Sequence, residues 1–189
     1  IYGNEVSGCK SQGIMIRNCH GFKFYENEVS YCGGTTMDGV QIGLYKNAVI
    51  RSNKAYSNGR HGITLEYGLN FQATENQCWN NANGGLVIGG GEATWDAAKN
   101  YVISENICWG NVGPGIQVDP GLSGQPNIPV VSPATIEGNV TYSNGGHGIY
   151  CQNVRDQTVA GNTSHSNTLD GVAVNGYACQ IAGNTCTRN

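Results

Sequence analysis

The chain of 189 residues is long enough for one domain or at most two, and 12% of its residues are charged, for a formal net charge of −3. This balance excludes the basic surface that nucleic acids and anionic membranes require, and 39% of hydrophobic residues excludes an acidic disordered tail. No apolar run approaches the roughly 18 residues that cross a bilayer, so we expect no membrane insertion.

Starting near the N-terminus, a glycine followed by an aliphatic residue recurs at intervals of 23 to 33 residues. The anchors are Gly13, Gly39, Gly62, Gly85, Gly115, Gly148 and Gly171. Each anchor opens a short stretch with a period of two, which indicates a strand with one face turned inward. We call this stretch the first strand of a repeat.

A second recurring position is an asparagine, which every repeat carries. These residues are Asn4, Asn27, Asn53, Asn76, Asn106, Asn139, Asn162 and Asn184. Another asparagine follows five residues later in six repeats, while Cys9 and Cys32 hold that place in the first two. Stacked asparagines can bond with one another and tolerate the left-handed backbone of tight turns, so we interpret both columns as scaffold.

Each repeat thus holds three short strands within about 23 residues, which indicates a parallel β-solenoid of about eight coils. The spacing of G-I-x-I and V-x-x-N-x-x-x-x-N resembles the pectate-lyase-like right-handed parallel β-helix superfamily over nearly the whole chain. The resemblance implies an all-β, right-handed, single-stranded parallel β-helix with an Asn ladder, in a single domain over residues 1–189.

Neither end of the chain carries a cap, and the sequence opens within a repeat at Ile1-Tyr2-Gly3-Asn4. An uncapped solenoid end exposes strand edges and core. We therefore expect residues 1–189 to be a segment of a longer chain, or the ends to be covered by self-association or by flanking domains.

The resemblance implies that the outer face of the first strands forms a polysaccharide groove. The two longest insertions follow these strands, from Gly89 to Asn100 and from Asp119 to Pro133, and variable loops on a rigid scaffold commonly carry function. Alternation turns several polar side chains outward, and we expect them to contact a substrate. They are Arg17, Gln41, Gln117 and Tyr150.

Two outward acids, Glu66 and Asp119, fall two repeats apart in the same column, so about 9–10 Å separates their backbones. Tilting side chains could bring the carboxyl groups to the spacing of about 6.5–9.5 Å found in inverting glycosidases. We predict that both are catalytic. The alternative is a pair of solvated acids on a sheet face.

The residues just before the anchor glycines place acids and histidines on adjacent coils, as Asp38 with His61 and as His147 with Asp170. A carboxylate raises the pKa of an imidazole and orients it as a general base, so Asp38 and His61 are predicted to be catalytic. Arg60 could neutralise a uronate carboxylate, and His147 could bind the same substrate. The alternative is that all are turn residues with local hydrogen bonds.

Aromatic residues offer further contacts for sugar rings, and Trp95, in the first long loop, is the best candidate. Trp79 and Trp109 occupy one slot of neighbouring coils and are equally able to pack against each other. We predict no metal site and no cofactor. Calcium is the one ion left open, but the acids are scattered rather than clustered and give it no strong site.

Two elements resemble those of polygalacturonases: Met37-Asp38-Gly39-Val40 is similar to NTDG, and Gly146-His147-Gly148 to GHG. The paired-aspartate and RIK elements of that family are absent, so its mechanism is not transferred. The turn from Tyr142 to Gly148 is similar to repeats of mannuronan epimerases, but their DPHE motif is absent.

Eight cysteines favour an oxidising compartment, and their spacing contains no metal-binding signature. Cys78 and Cys108 share an inward slot, where a thiol serves as a small apolar side chain. Cys9 and Cys32 hold equivalent turn positions on adjacent coils. A separation of about 5 Å suits a disulfide, for which they are the best candidates.

These patterns predict a carbohydrate-active protein, secreted or at the cell surface, that acts on an acidic polysaccharide as a lyase, hydrolase or epimerase. The alternative is a non-catalytic carbohydrate-binding or structural module of an adhesin, phage spike or surface protein. Ice binding would need a flat threonine-rich face, and the outward columns mix Gln, Arg, Glu, Tyr and Gly instead.

Overall fold

The computed structural model describes residues 1–89, 98–119 and 130–189, and the strands in these ranges wind into a right-handed parallel β-helix. Every pairing between these strands is parallel, and each connects one coil to the next. No helix in this part of the chain has the length and apolar character of a membrane span. The predicted fold class is confirmed.

The third strands form one sheet of eight strands, one from each coil, which confirms the predicted number of coils. They are β1 (Glu5–Ser7), β4 (Glu28–Ser30), β7 (Lys54–Tyr56), β9 (Gln77–Trp79), β12 (Ile107–Trp109), β15 (Val140–Tyr142), β17 (Thr163–His165) and β20 (Thr185–Thr187).

The first and second strands belong to a larger sheet. The first strands are β2 (Ile14–Arg17), β5 (Val40–Lys46), β8 (Ile63–Thr74), β10 (Leu86–Gly89), β13 (Ile116–Asp119), β16 (Ile149–Ala160) and β18 (Val172–Tyr177). The second strands are β3 (Lys23–Tyr25), β6 (Val49–Arg51), β11 (Lys99–Ser104), β14 (Val130–Glu137) and β19 (Gln180–Ala182). In β8 and β16 the first strand continues through a bend into the second.

The asparagine columns form two hydrogen-bonded ladders along the helix, as predicted. Asn106 is a representative rung: its Nδ2 donates to Asn139 Oδ1 at 2.9 Å and to Ala73 O at 2.9 Å. Its Oδ1 accepts bonds from the backbone N–H and the Nδ2 of Asn76. Each rung therefore satisfies backbone groups of its neighbours as well as its own side chain, inside a corner that water does not reach.

The anchor glycines are explained by the second ladder. A Cβ atom on Gly62 would lie 2.8 Å from Asn81 Nδ2 and 2.8 Å from Gly85 O, closer than real Cβ atoms approach. Gly115 would meet Asn144 Nδ2 and Gly148 O at the same distances. The glycine is therefore required because the next coil passes too close for any side chain.

Single residues in the left-handed region turn the chain at its corners. The position four residues after the ladder asparagine has a positive φ in every coil. It is occupied by Gly8, Tyr31, Ser57, Asn80, Gly110, Ser143, Ser166 and Arg188. The glutamates that precede the ladder asparagines, Glu26, Glu75 and Glu105, have positive φ as well. Their place in the sequence thus reflects the corner that the backbone must make.

The outer face of the third-strand sheet carries a stack of five aromatic rings, one on each of five successive coils. In order they are Tyr56, Trp79, Trp109, Tyr142 and His165. The centroids of Trp79 and Trp109 lie 4.8 Å apart with 3° between the ring planes. Of the two roles that the sequence left open for these tryptophans, the structure shows packing against each other. Their faces are covered by neighbouring rings, so only the ring edges face outward.

Replacing Trp109 by alanine interrupts this stack in its middle, because the indole of Trp109 stacks on both Trp79 and Tyr142. We expect the free energy of unfolding to fall by about 1–3 kcal/mol, since each aromatic pair contributes about 0.5–1.5 kcal/mol. Circular dichroism should lose the exciton signal of the coupled indoles. Tyr177→Ala, at a side chain that is 66% exposed, is the control and should change neither quantity. An unchanged exciton signal in Trp109→Ala would contradict the stack.

Candidate functional site

The outer face of the first-strand sheet contains a column in which charged residues alternate with glycine. Arg17, Gly43, Glu66, Gly89 and Asp119 stand in register on five successive coils. The coil that carries Gly89 therefore lies between those of Glu66 and Asp119. The spacing of adjacent strands puts their backbones about 9–10 Å apart. The register matches the prediction from the sequence.

The two glycines leave different spaces between the charged side chains. A Cβ atom on Gly43 would lie 3.7 Å from Glu66 Oε2 and 3.9 Å from Arg17 Nε, so both side chains lean over this glycine. Among residues 1–89, 98–119 and 130–189, no atom would lie within 4 Å of a Cβ atom on Gly89. No described residue therefore fills the space between Glu66 and Asp119 at the level of the sheet.

Amide side chains position both carboxylates. Gln41 Nε2 donates to Glu66 Oε2 at 3.0 Å, and Gln12 Nε2 donates to Gln41 Oε1 at 3.1 Å. Asn153 Nδ2 donates to Asp119 Oδ1 at 3.3 Å. Gln41 is 7% exposed, so it holds Glu66 in place more than it faces solvent. The sequence analysis did not single out Gln12 or Asn153 as partners of the acids.

A second outward column lies beside the charged one, and its middle residues, Thr64 and Val87, are shielded from solvent. Thr64 and Val87 are 4% and 8% exposed although they point away from the core, and Thr64 Oγ1 has no hydrogen-bond partner. Gln117 and Tyr150, in register further along, are partly exposed. A ligand on this face would therefore contact the part of the column near Asp119 more readily than the part near Glu66.

Asp38, Arg60 and His61 meet at the start of these strands. Arg60 donates from Nε to Asp38 Oδ1 at 2.7 Å and from Nη2 to Asp38 Oδ2 at 2.6 Å, and Asp38 is fully buried. The hydrogen bonds to Asp38, and then its charge, raise the pKa of Arg60, and Glu66 adds to the effect.

The carboxylate of Asp38 contacts the main chain of His61, whose N–H donates to Asp38 Oδ1 at 3.2 Å. The ring nitrogen Nδ1 of His61 accepts the N–H of Gly84 at 3.0 Å. Burial lowers the pKa of His61. Because Nδ1 accepts a hydrogen bond, the proton of the neutral imidazole lies on Nε2. The sequence analysis expected a carboxylate that orients this imidazole, and the backbone of Gly84 orients it instead.

The second histidine pair does bring a carboxylate to an imidazole. His147 Nδ1 lies 3.4 Å from Asp170 Oδ2, without hydrogen-bond geometry, and this buried atom makes no hydrogen bond to any described residue. The ring of His147 stacks on Tyr150 with centroids 4.8 Å apart, and the Tyr150 hydroxyl donates to Gln152 Oε1. Because Tyr150 is in register with Gln117, this group adjoins the Asp119 end of the column.

Trp95 lies outside the described residues, as do most residues of the two long insertions, 90–97 and 120–129. Within residues 1–89, 98–119 and 130–189, no three His, Cys, Asp or Glu side chains are grouped so that they could hold a metal ion. The described face therefore brings together two cations, Arg17 and Arg60, the acids and amides around Glu66 and Asp119, and the His147–Tyr150 pair.

Comparison with known proteins decides the family. Residues 1–96 and 90–186 each match the profile of the family described as the right-handed beta helix region. The chain belongs to this family. No curated protein sequence matches the β-helix.

Solved structures with the same fold include two epimerases and a lyase. The periplasmic alginate epimerase AlgG is 17% identical with a TM-score of 0.68, and the match covers 98% of this β-helix and 47% of AlgG. For the mannuronan C-5 epimerase AlgE6 A-module of Azotobacter vinelandii the identity is 20%, the TM-score 0.67 and the coverage 95% and 56%. For the pectate lyase Pel9A they are 14%, 0.54, 98% and 55%. The β-helix spans about half the length of these proteins, and the likeness shows a pectate-lyase-like fold.

Proposed function

We propose that this protein acts on an acidic polysaccharide laid along the outer face of the first-strand sheet, as a lyase, hydrolase or epimerase outside the cytoplasm. The observation that carries the proposal is the position of Gly89 between Glu66 and Asp119, which no residue in the described part of the chain fills. Chemistry at a sugar ring commonly uses two groups on opposite sides of the reacting bond, and this pair flanks a space of that kind.

Positive charge on the same face suits a polymer of uronic acids. Arg17 lies next to Glu66 over Gly43. The side chain of Arg60 is 40% exposed although its guanidinium is paired with Asp38. The folds most similar to this one include AlgG, an alginate epimerase, AlgE6, a mannuronan epimerase, and Pel9A, a pectate lyase. Acidic polysaccharides are therefore the first substrates to test, and periplasmic AlgG supports a location outside the cytoplasm.

We assign Glu66 and Asp119 to the reaction and expect Glu66→Gln and Asp119→Asn each to lower turnover by about 100-fold or more, the usual contribution of general acid–base groups. Alginate, polymannuronate, polyguluronate and pectate form the substrate panel. Absorbance at the wavelength of unsaturated uronates reports elimination, reducing ends report hydrolysis, and deuterium incorporation at C5 reports epimerisation.

Glu137→Gln is the matched control, since Glu137 is an exposed acid at the end of a second strand. It should leave both turnover and polymer binding unchanged. Full activity in Glu66→Gln and Asp119→Asn would remove both acids from the reaction. An absence of binding and turnover over the whole panel would defeat the proposal itself.

A non-catalytic carbohydrate-binding module is the second candidate. Asp38, Arg60 and His61 favour this candidate because their hydrogen bonds join adjacent coils, which is a structural role and not a catalytic one. Binding to uronate polymers without any of the three reaction products, and with affinity reduced in Arg17→Gln, would support this alternative over the enzyme.

A further inference from the structure

The asparagine ladder of the second column ends where Cys32 replaces a rung. Asn58 Oδ1 accepts the backbone N–H of Cys32 at 3.1 Å, as the rungs above it do for one another. One coil lower, the Sγ of Cys32 takes the place of this oxygen and accepts the N–H of Cys9 at 3.4 Å. The thiol thus stands where an amide oxygen stands in the other coils.

The two cysteines are held in alignment by the backbone on either side. Gly33 N–H donates to Cys9 O at 2.9 Å, and Gly59 N–H donates to Cys32 O at 2.8 Å, which are the bonds that continue the coil stack. Equivalent residues on stacked coils lie about 4.8 Å apart, and disulfides join Cα atoms about 4.4–6.8 Å apart. The separation of stacked coils therefore falls within the range that a disulfide between Cys9 and Cys32 would span.

The two thiols differ in access. Cys32 is 1% exposed, whereas Cys9 is partly exposed, and both line an open hollow of about 650 Å³ with Lys10 and Tyr31 on its walls. Burial raises the pKa of Cys32, with a further contribution from the Cys9 thiol. A dissolved oxidant can therefore reach Cys9 first.

We propose that Cys9 and Cys32 form a reversible redox site in which a disulfide replaces the missing rung of the ladder and joins the first coil to the second. None of the eight cysteines is joined by a disulfide in this structure. The site is independent of the groove on the first-strand sheet and of the activity proposed for it.

The reaction with glutathione disulfide balances as a two-step exchange. The Cys9 thiolate attacks one sulfur of the oxidant, a protein–glutathione bond forms and one glutathione leaves as a thiolate. Cys32 then loses its proton and attacks the Cys9 sulfur, and the second glutathione leaves. The two protein thiols lose two electrons and two protons in total, and glutathione disulfide gains them. Because the pKa of Cys32 is raised, the second step should become faster as the pH rises.

The test is a thiol count and a disulfide peptide map of the folded chain after treatment with glutathione disulfide. Wild-type protein should lose at least the thiols of Cys9 and Cys32, yield a Cys9–Cys32 peptide pair and recover these thiols on reduction; exposed thiols such as Cys19 are expected to carry glutathione instead. Cys9→Ser and Cys32→Asn should yield no such pair. Cys32→Asn supplies the amide rung that the other coils have, so it should stay folded, which thermal unfolding will verify.

Cys19→Ser is the control, since Cys19 is an exposed thiol elsewhere on the chain and its loss should leave the Cys9–Cys32 pair intact. The oxidised wild type should unfold at a higher temperature than the reduced form, and Cys9→Ser should show no such difference. Oxidised wild-type protein without a Cys9–Cys32 peptide pair would overturn the proposal, as would a pair that forms only after denaturation.

Discussion

Asn106→Ala should lower the free energy of unfolding by about 4 kcal/mol or more, a large part of the 5–15 kcal/mol that stabilises a typical domain. The change removes the acceptor of two bonds from Asn76 and the donor to Ala73 and Asn139. Each polar group left buried without a partner costs about 1–3 kcal/mol. Because Asn106 is fully buried, water cannot take the place of the lost amide.

Urea unfolding followed by circular dichroism measures this loss. Asn83→Ala is the matched control, because Asn83 is exposed and its side chain joins neither ladder, and it should stay within about 0.5 kcal/mol of the wild type. An Asn106→Ala protein as stable as Asn83→Ala would mean that the ladder adds nothing to stability.

Arg60→Ala should destabilise the protein by about 3 kcal/mol, since it leaves the carboxylate of Asp38 buried without its cation. We take the low end of the range for buried pairs because the Arg60 side chain is 40% exposed. The pair Arg51 and Glu75 is the internal comparison: its side chains are 57% and 39% exposed, and Arg51→Ala should destabilise the protein much less than Arg60→Ala, because solvent screens an exposed ion pair.

A double-mutant cycle separates the ion pair from simple loss of packing. Once Asp38 is replaced by asparagine, Arg60→Ala should cost much less than in the wild type, because no buried charge remains to be compensated. Equal costs in the two backgrounds would show that Arg60 stabilises the turn by packing alone. The result also bears on the site, because an Arg60 needed for folding cannot be read simply as a substrate contact.

The periodicity of the sequence was sufficient to predict the β-helix architecture and the register of the candidate acids. The spacing of the anchor glycines Gly62 and Gly115 placed Glu66 and Asp119 in one column, and the structure confirms that register. It did so because a solenoid converts sequence intervals directly into neighbours in space. The same logic put Trp79 beside Trp109.

The spacing of residues in the sequence did not predict the direction in which their side chains point. Asp38 and His61 are adjacent, yet the carboxylate turns to Arg60 and to the His61 backbone, whereas His147 and Asp170 do face each other. Both pairs look alike as sequence. The choice between a bond to an imidazole and a bond to a backbone amide depends on local geometry within an ångström, which residue spacing does not encode.

A third corner was also missed, although the sequence held a signal for it. Six residues before the ladder asparagines, a position with positive φ recurs. It holds Gly21, Asn47, Asn70, Asn100, Asp156 and Ala178. Three of these form a short outer ladder, in which Asn100 donates to Asn70 and Asn70 to Asn47. The run of Gly, Asn and Asp at a fixed offset is typical of left-handed turns and would have located this corner.

The inner ladders also align their amide dipoles along the axis of the β-helix. From Asn4 to Asn162, each side-chain NH₂ points towards the C-terminal coil and donates to the amide oxygen there. The amide dipoles therefore add head to tail along the axis, and aligned hydrogen bonds polarise one another. A coil added at either end continues this chain only if its amides point the same way, so the ladder selects parallel over antiparallel stacking before any side chain on the surface is involved.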